Sequence, residues 1–335
     1  MRKFQAKPHF FALLLGSLTL LATAPVQALE DWQLQYGPFI TASDVRPHNQ
    51  LPQDIADMQA ALAESPPDFA TALSLYAFGK NFPWRDRTHS LGRFNDDYNR
   101  AMPAVVPESV AHFGSSQFAN QFMFSALAGT NRFQGVPDAL RIAAIEGGAL
   151  ASVVNWTRFE LVMSERKALA ENPNWALTNG SPKNWNEIFA FHWGPEGQHS
   201  VHAALQALDG GSEVNTNLYA ILTRGQEPIL QQTWPADDAR HVAQQIHIGS
   251  LLLFQDAVQR ILAASDAAQR EAQFYAQGLW LAAAEPILML DAGSVALVES
   301  ALTQEPDGKR SDPPPKNALL PWIILARRCQ TPDYA

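Results

Sequence analysis

The chain has 335 residues, 24 Lys and Arg against 33 Asp and Glu, a formal net charge of -9, 47% apolar residues and one cysteine. An acidic chain without a basic block excludes nucleic acid and anionic lipid as natural partners, because both are held through clustered Lys and Arg, and it suits cationic ligands better. A single cysteine rules out an intramolecular disulfide, so stability must come from an apolar core, for which a chain of this length suffices.

The opening "MRKFQAKPHFFALLLGSLTLLATAPVQA" has a basic start, an apolar run and small residues before a cut after Ala28, which is the secretory pattern. Residues 1–28 are therefore expected to be a signal peptide and 29–335 a single helical domain. Losing the cations Arg2, Lys3 and Lys7 takes the net charge from -9 to -12. No later stretch approaches the roughly 20 apolar residues of a membrane span, so the cleaved chain is expected not to span a membrane. Export without a disulfide points to a periplasm. Cys329, in the tail "LLPWIILARRCQTPDYA", is expected to be an inert thiol.

Near the mature start, "LQYGPFITAS" reads as extended. From Asp54 onward the apolar residues recur at three and four, the period of an amphipathic helix. Four segments carry the pattern: "DIADMQAALAES", "PDFATALSLYAFGKN", "ALRIAAIEGGALASVVNWTRFELVMSERKALAEN" and the long run from Asp237 to Ile287. Asp138 after Pro137, and Asp237-Asp238 after Pro235, are good helix starts because carboxylates favour that end. Breaks are expected at Ser65-Pro66-Pro67, at 172–184, at Asp209-Gly210-Gly211 and in the loop 305–315. The fold class is all-α, a helical bundle.

"RIAAIEGGALASVVNW" and "AQQIHIGSLLLFQDA" align with Ile145 on Ile246, Gly148 on Gly249 and Leu150 on Leu251, which reads as two degenerate repeats, 51–172 and 184–303, about a pseudo-twofold. The alignment sets Glu146 on His247. A buried carboxylate needs a partner, so these two either face one another at a metal, pair directly or point to solvent. Glu160 lies fourteen residues after Glu146, within about 40° of the same helix face. Carboxylates and imidazoles on facing helices are how bundles build metal sites.

"NWNEIFAFHWGPEGQHSVHAAL" holds three of the nine histidines. His199 and His202 at i,i+3 are expected on one helix face, with His192 folding back toward them and Glu187 upstream. They either line a cation pocket or sit on a solvated face. Tyr98, beside Asp96 and Asp97 in a stretch that reads as turn, and also Tyr76 and Tyr219, offer phenol oxygens of the kind ferric ion takes. There is no HExxH, CxxC pair, EF-hand loop, GxSxG elbow or Walker A loop, and "AHFGSSQF" does not frame its serines as an elbow. Nothing in the sequence demands catalysis.

Three pieces, "DFATALSLYAFGKN", "PDALRIAAIEGGALASVVNWTRFELVMSERKALAENP" and "NGSPKNWNEIFAFHWGPEG", occur in this order over about Asp68 to Gly197. With them the chain resembles the Fea-type, low-iron-inducible, iron-assimilating proteins. The resemblance implies a secreted or periplasmic, non-catalytic iron-binding protein. It places Glu160 and Glu187 on positions resembling acidic ones of the family pattern. His192 stands where a tyrosine-like residue is usual, and the Glu-x-x-Glu pairs often invoked for iron binding are absent.

The expectation is thus an exported iron-binding protein, not an enzyme, that takes iron, Fe3+ before Fe2+, and delivers it to a membrane transporter. The candidate metal ligands are Glu146, Glu160, Glu187, His192, His199, His202 and His247. Two other classes compete: a periplasmic sugar- or peptide-binding module stacking its ligand on Trp185 and Trp193, and a metal-dependent hydrolase with an open coordination position.

Overall fold

The computed structural model describes residues 29–84 and 87–303. The chain divides into units Met1–Asp31 and Trp32–Ala335, and the helices and hairpins among the described residues lie in the second. The expected signal peptide, the loop 305–315 and Cys329 lie outside the described residues.

Helices dominate, and strands among the described residues are confined to two short hairpins. The stretch expected to be extended is the first hairpin, β1 (Gln35–Tyr36) and β2 (Phe39–Ile40), turned by Gly37 at φ +55°, a backbone region where glycine costs least. Two helices follow, α1 (Arg46–Asn49) and α2 (Leu51–Leu62), and then α3 (Phe69–Phe78), whose cap Asp68 accepts from Thr71 N at 2.9 Å. The second hairpin, β3 (Phe82–Trp84) and β4 (Arg87–His89), is anchored by Asp54. That buried carboxylate accepts from Lys80 N at 3.1 Å and Asn81 N at 2.9 Å.

One expectation fails at this point. The stretch around Asp96 and Asp97 is not a turn; it lies inside α4 (Leu91–Val105). Fully buried Leu91 and Met102 pin the two ends of that helix into the core, and tertiary burial overrides the weak local preference of Asn and Asp for turns. After α5 (Pro107–Phe113) and α6 (Phe118–Ala128) comes the central helix α7 (Asp138–Ala168), which begins at the expected Asp138. The expected break at 172–184 leads into α8 (Ser181–Trp193), and α9 (Val201–Gln206) joins α10 (Gly211–Leu230) at Gly210.

The long run from Asp237 to Ile287 is two helices, α11 (Ala236–Ala263) and α12 (Asp266–Thr303), parted where Ala264 turns extended. The last helix is apolar and long enough to cross a membrane by composition, but half of that apolar window is buried in the protein. It is also broken at Asp291, and its arms fold back so that Gln273 Nε2 donates to Ala301 O at 3.0 Å and Trp280 Nε1 to Glu299 Oε1 at 3.1 Å. Buried Glu285, just before Pro286, accepts from Ser109 N at 2.7 Å. A carboxylate thereby meets the positive end of α5.

The core runs along α7, which packs on α12, α8, α11 and α6. Its contact with α12 is backbone on backbone. A Cβ on Gly147 would collide with Tyr275 O, and one on Gly278 would collide with Gly148 N. Nothing larger than glycine fits there. Gly148 faces the Met123 thioether, whereas its aligned counterpart Gly249 faces the Leu205 side chain, so the two aligned helices use these glycines for different neighbours.

Candidate functional site

The seven candidate ligands fall into separate surroundings. Among the described residues no group of three or more His, Cys, Asp or Glu is spaced to hold a metal ion. Helix geometry explains part of this: fourteen residues at 1.5 Å each put Glu160 about 21 Å along α7 from Glu146. A shared face is not a shared ion.

Glu160 and Glu187 do come together. Both are buried, on α7 and α8, and Asn184 Nδ2 donates to Glu160 Oε2 and, at 3.0 Å, to Glu187 Oε2. His48 Nε2 lies 2.8 Å and Lys183 Nζ 3.8 Å from Glu187 Oε1. Burial pushes both carboxyls up, and the Glu187 charge pushes Glu160 well above the usual carboxylate range. For Glu187 the charge and hydrogen bond of His48, with the Glu160 hydroxyl and Lys183, outweigh burial and hold it down at about 2. Glu160 therefore keeps its proton and donates it to the Glu187 carboxylate. Lys167 Nζ completes the cluster, donating to Asn184 Oδ1 at 2.6 Å. Both carboxyls have internal company, so this pair is a structural clasp of α1, α7 and α8.

His192 and His202 meet Tyr219 beneath the first hairpin. Asn215 Nδ2 donates to His202 O at 3.1 Å, which leaves its Oδ1 to accept from His192 Nε2 at 2.8 Å. His202 Nδ1 bonds Tyr219 Oη at 2.9 Å, and the Tyr36 ring lies edge-on to both at 4.9 Å. Burial lowers His192 to about 4, and it also lowers His202. Both imidazoles are neutral at pH 7. His247 stands elsewhere on α11, lowered to about 3 by burial and by the Arg158 guanidinium.

His199 is not on the helix face expected for it. Ser200 caps α9 through its side chain, accepting from Ala203 N at 3.3 Å. His199 therefore falls before the helix, exposed and at φ +49°. The i,i+3 spacing with His202 is broken by that cap, and the two imidazoles part: His202 turns inward, while His199 lines a cleft.

That cleft, about 740 Å³, is also lined by Glu146, Glu271, Tyr275 and Arg260. Glu146, next to Gly147, lines it from α7, and Glu271 and Tyr275 line it from α12. Burial, and then the facing Glu271 carboxylate, raise Glu146 above its ordinary range. Burial drives the Tyr275 phenol up to about 12, with Glu146 adding to the push and Arg260 opposing it. Arg260 is held 2.6 Å from Asp256 and stands 5.8 Å over the Tyr275 ring. Glu271 and Tyr275 were missed by sequence reasoning, and nothing but their position in an apolar helical run could have signalled them.

Tyr76 and Trp185 are also accounted for. Tyr76 Oη donates to Asn120 Oδ1 at 2.8 Å in the core. Trp185 is fully buried and donates to Leu222 O at 3.0 Å, in room left by Gly225. It offers no face on which a sugar or peptide could stack.

Fold and cleft together define a class: a helical protein with a carboxylate-lined cleft on its central helix. Residues 10–269 match the Fea1 family, described as low iron-inducible periplasmic protein. The chain belongs to that family. No curated protein and no solved structure matches it.

Proposed function

We propose that the protein binds iron as cargo in the periplasm and hands it to a membrane transporter, acting as a carrier and not as a catalyst. The observation that carries this reading is the like-charge pair Glu146 and Glu271, half-buried and exposed respectively, facing each other over a solvent-reaching cleft. Two carboxylates so placed repel, and a cation between them relieves the repulsion and satisfies hard-oxygen coordination. The family description supports iron as that cation. By contrast, Glu160, Glu187 and His192 hold internal partners that metal binding would have to displace. They are assigned to the fold.

The test is to titrate the purified mature protein with iron while recording retained metal and melting temperature. A site present only in the folded state stabilises by about 2.7 kcal/mol at a hundredfold excess over Kd. Retained iron with a raised melting temperature, both lost in Glu146→Gln/Glu271→Gln, is the expected result. Unchanged retention in that double variant would remove the cleft as the iron site.

A further inference from the structure

A second groove, about 820 Å³, lies between α3 and α6, and among the described residues it shares no lining residue with the cleft of Glu146. Leu73 and Ala77 line it from α3 and Ala128 from α6, and none of the described residues along it is charged. Two of its aromatic rings face water: Phe78 is 63% and Phe124 37% exposed. An uncharged face with open rings on so acidic a chain is the kind of patch that another apolar surface covers.

The chain leaves α12 beside this groove. Gln277 Nε2 donates to Leu302 O at 2.6 Å, and the oxygen of the same amide accepts from Arg132, the residue after Asn131 on the groove lining. Residues 304–335 follow, and they contain "KNALLPWIILARR", Lys316 to Arg328, in which Ala318 to Ala326 carry no charge. That run is less than half of the roughly 20 residues a membrane span needs. Residues 304–318 lie between α12 and Leu319, and at about 3.3 Å each they reach up to about 50 Å. The groove is well within that reach.

Charge adds a match at the ends. Lys316 precedes the apolar run and Arg327 and Arg328 follow it, with no acid between. At one end of the groove Asp68 stands two residues before Ala70. Arg141 lies 3.7 Å over the neighbouring Phe69 ring, donates to Leu127 O at 2.7 Å next to Ala128, and holds Asp138 at 3.2 Å. Two carboxylates thus border that end.

We infer that the segment Leu319–Leu325 of this same chain docks in the groove between α3 and α6, its apolar side chains on Phe78 and Phe124 and its flanking cations toward Asp68 and Asp138. The docked segment shields the two rings from water and ties the end of α12 to α3 and α6.

Cys329, the single cysteine of the chain, comes four residues after Leu325 and is a ready handle for the test. The mature protein is labelled there with a benzophenone maleimide, irradiated, digested and mapped by mass spectrometry. Crosslinks are expected within one chain, to residues 69–78 and 117–131, with a yield that does not change on dilution. Phe78→Ser/Phe124→Ser in the groove, and separately Trp322→Ser/Ile323→Ser in the segment, are each expected to lower that yield about tenfold with an unchanged circular dichroism spectrum. Crosslinks that join two chains, or that fall on other helices, overturn the inference, as does an unchanged yield in both variants. Loss of the crosslink on adding liposomes of phosphatidylethanolamine and phosphatidylglycerol would assign the segment to a bilayer and overturn it as well.

Discussion

Glu146 and Glu160 occupy one helix and are both raised by burial, yet they do opposite things. Glu160 is buried with a hydrogen-bonded neighbour, an amide donor and a nearby lysine; Glu146 lines a cleft where the Glu271 carboxylate and the Tyr275 phenol lie near it. A buried ionisable group with a full complement of partners is part of the fold. One that faces like charge at an opening is costly until a ligand arrives, and such residues mark candidate sites. What separates them is the company each keeps.

The largest effect expected from breaking the contrast is at the clasp. Glu187→Gln strands His48, Lys183 and the Glu160 hydroxyl around a neutral amide, and removing one partner of a buried charged cluster costs about 3–5 kcal/mol. Urea unfolding at pH 7 reads it, and iron retention by the folded fraction is expected to stay unchanged.

Next in size is acid sensitivity. His192 and His247 fall from 6.5 to about 4 and about 3 in the folded protein. They are neutral when folded and take up protons on unfolding, so the stability they contribute is full above pH 6.5 and is lost as pH falls through the folded values. Each group contributes a few kcal/mol over that window. Urea midpoints from pH 7.5 to 4.5 should fall steeply, and His247→Gln should flatten the fall. A flat profile in the parent would show that these imidazoles are not held neutral.

The glycine crossing comes third. Gly278→Ala forces a methyl into Gly148 N. Overpacking of this kind costs about 1–3 kcal/mol, and it should also weaken iron retention by moving α12 from Glu146. The smallest effect has the opposite sign: Glu146→Gln removes a like-charge contact and should leave stability within about 0.5 kcal/mol of the parent or slightly above it. It should also abolish the iron-induced rise in melting temperature. A loss of several kcal/mol in this variant would mean that Glu146 belongs to the fold as Glu160 does.

Much of the fold was legible. The three-and-four periodicity located α2, α3, α7 and α11, Asp138 opened its helix, and "LQYGPFITAS" folded as a hairpin. The misses have physical causes. Helix α4 forms because Leu91 and Met102 are buried, and no local rule sees burial. His199 leaves its helix because Ser200 is the better cap, a signal the sequence did contain. Of the residues lining the cleft proposed as the site, Glu146 drew notice in the sequence through its place beside the apolar stripe, and Glu271 and Tyr275 did not.

The sequence by itself determined the helical class, the break points, the acidic character and the family, since these follow from periodicity, turn chemistry and short-range order along the chain. Only the tertiary structure decided which carboxylates are partnered and which open on a cleft. Helix period tells on which face a side chain lies; the charges and donors it meets come from residues distant in the chain, brought close by the packing of α7 on α8 and, through paired glycines, on α12.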